Sequence, residues 1–182
     1  MKHIFQYDFY RMTERNYSHS IKNMIRILFS PNLKFVKKLR RAQMKPSFFN
    51  RLLLKLYGRK YGNEISPDAT IGKGVYLGHA YNITVADGCV LGDNVNLHKG
   101  CTIGRETRGV RKGCPTIGNL VYIGVNATVI GNIKIGNDVM IAPGSFVNFD
   151  VPDHSVVIGN PATVHHRNNA TEGHLPELVD IF

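Results

Sequence analysis

The sequence lacks long apolar runs, and no stretch approaches the roughly 18 apolar residues of a membrane-spanning helix. Its first residues also lack the apolar core of a secretory signal, so we expect a chain that is not exported. Cysteine is scarce, since only Cys89, Cys101 and Cys114 are present, without C-x-x-C spacing. This odd, unpaired set argues against a disulfide framework and a zinc site, and it favours the reducing cytoplasm. We expect no metal.

Acidic residues are nearly absent from the first third of the chain. Residues 1–62 hold 15 Lys and Arg residues against two acids, Asp8 and Glu14, whereas residues 63–182 hold 8 basic and 11 acidic residues. The net charge of +10 therefore averages a strongly basic segment and a mildly acidic body. Such asymmetry indicates a polyanionic partner for residues 1–62.

Residues 1–62 also carry apolar residues at helical spacing, from Ile21 to Phe29 and from Phe49 to Leu56, with Pro31 and Pro46 between them. The pattern predicts two or three short basic helices. Basic helices with scattered large apolar residues are typical of peripheral membrane contact, here at the inner face, although a solvated helical cap is an equally open interpretation. Since no nucleic-acid-binding motif accompanies the charge, we expect no nucleic acid partner.

A six-residue repeat dominates the chain after residue 64. A large aliphatic residue opens each repeat, a small or β-branched residue usually stands four positions later, and glycine often follows the aliphatic. The aliphatics are Ile65, Ile71, Leu77, Val85, Leu91, Leu97, Ile103, Ile117, Ile123, Val129, Ile135, Ile141 and Val147. Each repeat predicts a short strand with one inward side chain, and only stacked coils would bury these residues in a continuous core.

The repeat slips its phase twice, once before Val85 and once at a protruding loop, residues 105–115. With three strands per coil, the aliphatics form three vertical columns over about five coils. In one column Leu97 stacks on Leu77, which places His98 above Gly78. We therefore divide the chain into a basic helical segment (1–62), a β-helix (63–164) and a polar tail (165–182), whose residues 175–182 could form a last short helix or strand.

The repeat resembles that of the hexapeptide acyltransferases, and residues 61–162 resemble their serine acetyltransferase branch, which includes sugar and polysaccharide O-acetyltransferases. The resemblance rests on the segments Tyr61–Ile65, Ile71–Gly74, Leu77–His79, Thr102–Gly104 and Ile158–Ala162. It implies a mainly β chain, namely a left-handed parallel β-helix with an N-terminal α-helical segment. It further implies a homotrimer with active sites between subunits and acetyl-CoA as co-substrate.

The resemblance assigns the chemistry to His79, which would remove the proton of the acceptor hydroxyl and return it to the departing thiolate. Glu64 stands where the family places the carboxylate that orients this imidazole. His98 and Cys114 are candidates for acceptor binding. The resemblance implies that backbone groups at the Val125 and Pro143 positions hold the pantetheine arm. Since His79, Lys99, Val125 and Pro143 fall on one vertical line, we expect the arm to run along it and to contact the main chain at Val125 and at Ala142–Pro143.

The protruding loop supplies most of the candidate phosphate ligands, because arginine binds phosphate oxygens in bidentate fashion. The expected cofactor-binding residues outside the vertical line are Gly104, Arg105, Arg111, Lys112 and Arg167.

The acceptor is the least constrained part of the prediction. Serine acetyltransferases carry an aspartate where this chain has Gly78, an Arg-His pair where it has Gly113-Cys114, and a longer helical region. These departures favour a sugar or cell-surface polysaccharide hydroxyl, with serine as the alternative. A non-catalytic β-helix scaffold and a basic binding module are alternatives of a different class, and the presence of His79 with Glu64 disfavours the scaffold.

Overall fold

The computed structural model describes residues 4–180, which form four helices followed by a parallel β-helix of about five coils. The helices are α1 (Ile4–Thr13), α2 (Ile21–Phe29), α3 (Pro31–Met44) and α4 (Phe48–Arg59). Ser20, Ser30 and Ser47 cap the last three, each accepting a backbone N–H from three residues ahead.

Four helices exceed the two or three predicted. The additional α1 lies before the first apolar pattern, and Pro31 begins α3 at its first position rather than interrupting a helix. Proline is suited to that position because the missing N–H would have no partner there.

The strands are two to five residues long and follow the repeat. In chain order they are β1 (Glu64–Ile65), β2 (Thr70–Ile71), β3 (Tyr76–Gly78), β4 (Thr84–Val85), β5 (Val90–Leu91), β6 (Asn96–His98), β7 (Thr102–Gly104), β8 (Thr116–Ile117), β9 (Val121–Ile123), β10 (Thr128–Ile130), β11 (Lys134–Ile135), β12 (Val139–Ile141), β13 (Phe146–Val147), β14 (Ser155–Gly159) and β15 (Ala162–His166).

Three parallel sheets form the faces of a prism. Face one contains β1, β4, β7, β10 and β13, face two contains β2, β5, β8 and β11, and face three contains β3, β6, β9, β12 and β14. The registers confirm all three predicted columns, for example Leu77 on Leu97 on Ile123 on Ile141. These side chains are almost completely buried, so the core is a continuous apolar stack.

The turns between faces stack into three edges. The histidine edge joins face three to face one and comprises residues 79–83, 99–101, 124–127 and 142–145. The loop edge joins face one to face two and carries residues 86–89 and 105–115. The tail edge joins face two to face three and carries residues 72–75, 92–95, 118–120 and 136–138.

A buried ion pair fixes the helices to the lowest coil. Arg40 of α3 donates to both carboxylate oxygens of Asp8 in α1, at 2.8 and 3.0 Å, and also to the carbonyl of Ile71. Asp8 in turn accepts the backbone N–H of Val75. Because each charge is hydrogen-bonded from several sides, the pair orients α1 and α3 on the prism at tolerable desolvation cost.

The end of the chain was only partly predicted. β15 pairs antiparallel with β14, which extends face three beyond the repeat. Residues 167–180 then run along the tail edge without forming a helix or strand over residues 175–180, while residues 181 and 182 lie outside the described part. Asp138 accepts the backbone N–H groups of Ala170 and Thr171, and Asn94 exchanges two hydrogen bonds with Val179.

Within residues 4–180, none of the helices has the length and apolar character required to traverse a lipid bilayer.

Candidate active site

His79 lies on the histidine edge, directly after β3, with an exposed side chain. Its φ of 51° is in the left-handed region, which turns the chain sharply out of face three. Asn32, at the start of α3, secures this turn by donating to the carbonyl of Leu77 at 2.8 Å and accepting from the amide of Ala80 at 3.4 Å. Helix α3 therefore holds the backbone on both sides of His79.

Glu64 begins face one beside the same edge, and its side chain is exposed. Asn63 connects the two segments, since it donates to the carbonyl of Ala80 at 2.7 Å and accepts from the amide of Ile83 at 3.1 Å. No hydrogen bond or ion pair joins Glu64 to His79 among residues 4–180. The structure thus brings the two residues to one edge but does not form the expected contact.

His98 lies over Gly78 on the outer surface of face three, as the register predicts. Its ring packs 4.6 Å from that of Tyr122 and 6.4 Å from that of Tyr76, measured between centroids. Neither ring nitrogen has a hydrogen-bond partner in the described chain, and Nε2 is fully buried. Burial, followed by the nearby imidazole of His79, lowers the pKa of His98, so the ring is neutral near pH 7.

Gly78 is a glycine for a steric reason. A Cβ atom at this position would lie 2.5 Å from Nδ1 and 2.6 Å from Cε1 of His98. Since the φ of Gly78 is not positive, the backbone itself would accept any residue. The imidazole of His98 therefore occupies the space into which a side chain at position 78 would project. Sequence reasoning missed this relation, although the predicted column already placed the two residues one above the other.

The predicted vertical line of cofactor contacts lies on the histidine edge. The amide of Asn126 donates to the carbonyl of Lys99, and the amide of Gly144 donates to the carbonyl of Val125, so the successive turns stack above His79. The amide of Val125 makes no hydrogen bond within residues 4–180. Ala142 is half-buried and Pro143 exposed beside it. This edge thus offers a main-chain donor above His79.

The protruding loop emerges from the opposite side of face one, on the loop edge. It begins after Gly104, the last residue of β7, and a short bridge between Glu106 and Gly113 closes it. Arg105 pairs with Asp87 at 3.3 Å, and Arg111 pairs with Glu106 at 3.1 Å, both at the surface. Lys112 has no carboxylate partner among residues 4–180.

Two predicted residues lie away from His79 within the subunit. Cys114 is on the loop edge, where its thiol contacts the carbonyl of Asp87 at 3.1 Å. Arg167 is on the tail edge, where its amide donates to the carbonyl of His154. The predicted residues therefore divide among three edges of one prism. Across residues 4–180, no group of three His, Cys, Asp or Glu side chains could hold a metal ion.

Comparison with known proteins agrees with this fold. Residues 114–148 match the bacterial transferase hexapeptide (six repeats) family. The chain is 42% identical over 102 residues to serine acetyltransferase 4 of Arabidopsis thaliana, and 36% identical over 118 residues to the serine acetyltransferase of Synechococcus elongatus. These matches support a hexapeptide-repeat acyltransferase with serine acetyltransferase-like character. These matches cover 56% and 65% of the chain but only 29% and 48% of the two relatives.

Solved serine acetyltransferase structures extend the likeness to the helices. The enzyme of Neisseria gonorrhoeae superimposes with a TM-score of 0.77 at 27% identity, over 94% of this chain and 69% of that one. The Brucella abortus enzyme in complex with coenzyme A gives a TM-score of 0.78 at 27% identity, over 92% and 68% of the two chains.

The prediction of a sugar or polysaccharide acceptor is wrong. The relatives reported above are named serine acetyltransferases, and another structural relative, from soybean, is a complex with serine. The prediction gave too much weight to the missing aspartate at Gly78. The ring of His98 occupies the space that a side chain at position 78 would fill, so the missing aspartate has a local steric reason.

Proposed function

We propose that the chain is an acetyl-CoA-dependent serine O-acetyltransferase in which His79 is the general base. The observation that carries the proposal is the position of His79: exposed on an edge, held by Asn32 on both sides, and below the unpaired amide of Val125. The similarity of the chain to proteins named serine acetyltransferases supports serine as the acceptor.

The chemistry needs one base and no covalent enzyme intermediate. Neutral imidazole of His79 takes the hydroxyl proton of serine as the oxygen attacks the thioester carbonyl carbon. The tetrahedral intermediate then collapses, the carbon–sulfur bond breaks, and the imidazolium returns the proton to the coenzyme A thiolate. Glu64, on face one beside the same edge and with no ion-pair partner among residues 4–180, would orient the ring when the acceptor is bound.

His98 is our candidate for recognition of the serine ammonium group. A neutral imidazole has one nitrogen that accepts a hydrogen bond, and the Nδ1 side of this ring faces Gly78, the residue next to His79. Burial keeps the ring uncharged, so it accepts from an ammonium without repelling it. His98 thus supplies the acceptor atom that an aspartate would otherwise place there.

The coenzyme A contacts divide between main chain and loop. Val125 and Ala142–Pro143 are proposed to bind the pantetheine arm through backbone groups. Gly104, Arg105, Arg111 and Lys112 are proposed to bind the phosphates; since exposed ion pairs are weak, phosphate competes readily with Asp87 and Glu106 for the two arginines. Arg167, on the tail edge, could meet a cofactor only from a neighbouring subunit.

The division among edges leads us to propose a homotrimer. The loop edge and the histidine edge flank face one of the same subunit, so one cofactor uses both only when the loop of one subunit meets the histidine edge of the next. Cys114 would join the acceptor site in the same way. We further propose that the trimer works in the cytoplasm, with residues 1–62 toward the inner face of the membrane.

The test is release of free thiol from acetyl-CoA with and without L-serine. We expect serine-dependent release in the wild type and a loss of roughly 10²- to 10⁴-fold in His79→Ala, the usual contribution of a general base. Because His79 is exposed, the variant should keep its thermal midpoint and assembly. Release that does not depend on serine, or full activity in the variant, would contradict the proposal.

A further inference from the structure

Helix α3 carries four cations on one face. Lys34, Lys37, Lys38 and Arg41 follow the spacing i, i+3, i+4, i+7 and line a groove of about 270 Å³ between α2 and α4. None of the four has a carboxylate within 4 Å among residues 4–180. Residues 15–63 contain no acidic residue at all, so no neighbouring part of the helical segment neutralises this row.

Lys38 lies at the centre of this row, half-buried and beside like charge. Burial, followed by the positive charges of Lys34 and Arg41, lowers the pKa of Lys38. Lys34 and Lys38 instead approach the ring of Tyr57, with ammonium-to-centroid distances of 5.9 and 5.5 Å. These cations lie close together, and no carboxylate of residues 4–180 pairs with any of them.

The walls of the groove are apolar and exposed. On α2, Ile21, Met24, Ile25 and Leu28 share one face by the same spacing, and Met24 and Leu28 reach the groove. On α4, Phe49, Leu52, Leu53 and Leu56 repeat the pattern, and Leu53 reaches the groove. Met24 is 61% exposed and Phe49 61% exposed. A soluble surface seldom exposes so many large apolar side chains together.

We propose that α2, α3 and α4 form a docking surface for an anionic lipid bilayer, with headgroup phosphates in the cationic groove and the two apolar walls in the interface. The side chains that α2, α3 and α4 expose carry this proposal, because helices that lie on membranes combine apolar side chains with flanking Lys and Arg. Anionic headgroups supply the negative charge that the groove lacks.

A second copy of the chain fits this surface less well. Two such faces brought together would place both rows of unpaired cations against each other, in an interface without a single carboxylate from residues 15–63. Like charges so opposed disfavour association and exclude wrong partners. An anionic lipid surface, in contrast, neutralises the cations of the groove and accepts the apolar side chains of its walls.

The experiment measures co-sedimentation of the full chain with phosphatidylcholine vesicles, with and without 30% phosphatidylserine, at about 0.1 M salt, where the Debye length is about 10 Å. We expect binding to the anionic vesicles only, and its loss near 1 M salt. Lys37→Gln/Arg41→Gln should weaken binding roughly thirtyfold, which corresponds to about 2 kcal/mol for two surface cations.

Matched variants separate the groove from net charge and general apolarity. Arg15→Gln/Lys134→Gln removes the same charge at exposed positions elsewhere and should change binding less than about threefold. Phe49→Ser should weaken binding, whereas Leu178→Ser, at a half-exposed leucine of the tail, should not. Serine-dependent thiol release in solution should be unchanged in all four, so failure here is distinguishable from failure of the proposed reaction.

Three results would overturn the proposal. The first is equal binding to neutral and anionic vesicles, and the second is an equal loss of binding in Lys37→Gln/Arg41→Gln and in Arg15→Gln/Lys134→Gln. The third is a wild-type protein that associates with itself in solution through this surface and no longer does so when Phe49 is replaced by Ser. The last result would assign the surface to a second copy.

Discussion

Replacing Gly78 by alanine tests whether the ring of His98 is held in place for acceptor recognition. The new Cβ would lie 2.5 Å from Nδ1 of His98, well inside contact distance. The ring cannot simply move away, because Tyr122 packs 4.6 Å from it and Tyr76 lies on its other side. Either His98 changes its rotamer or the two coils separate.

The cost should resemble that of an overpacked core position, about 1–3 kcal/mol. For a chain of this size, each kcal/mol lowers the thermal midpoint by about 2–4 °C at fixed protein concentration. In a His98→Ala background the same Gly78→Ala change meets open space and should cost less than about 0.5 kcal/mol. The coupling between the two positions therefore amounts to most of the single-variant cost.

The kinetic readout is the KM for serine against the KM for acetyl-CoA. If His98 accepts a hydrogen bond from the ammonium group, Gly78→Ala should raise the KM for serine and leave the KM for acetyl-CoA unchanged. Additive stability effects in the double variant would refute the steric argument. An unchanged KM for serine would refute the role of His98 while leaving the reaction itself intact.

Two further predictions concern the tail and the assembly. Asp138→Asn should cost about 1–3 kcal/mol and expose residues 167–180 to proteolysis, because this carboxylate accepts from Ala170, Thr171 and His154. Burial alone would raise the pKa of Asp138, but these hydrogen bonds outweigh it and lower the pKa. The contribution of Asp138 to the free energy of unfolding is therefore present above about pH 4 and is lost as the pH falls through the folded-state pKa. Mixing equal amounts of His79→Ala subunits and subunits in which Arg105, Arg111 and Lys112 are replaced by Gln should restore roughly a quarter of wild-type sites if each site spans two subunits. It should restore none if each site lies within one subunit, and thiol release distinguishes the two outcomes.

The core could be predicted from the sequence because the repeat leaves few alternatives. Each inward position holds a large aliphatic, and a shift by one residue would expose all of them. The register of Leu77 with Leu97 and of Val85 with Ile103 followed directly.

The tail and α1 could not be predicted in this way, because their partners are far away in the sequence. Arg11 is buried and donates to the carbonyls of Gly74, Pro176 and Glu177. Burial lowers the pKa of its guanidinium to about 10, and nothing in the local pattern around residue 11 signals a buried arginine. Contacts across 165 residues carry no periodic signature.

The position of each candidate residue on the prism could be predicted from the repeat, but the pairing of one edge with another could not. A side of the prism spans about six residues, or roughly 20 Å of extended chain, and it separates Lys112 on the loop edge from His79 on the histidine edge. If the pantetheine arm runs along the histidine edge past Val125, as proposed, the phosphates at its end would meet the loop cations only of a neighbouring subunit. The repeat determines the shape of each edge, while the pairing of edges would be a property of the proposed trimer interface, which the sequence of one coil does not encode.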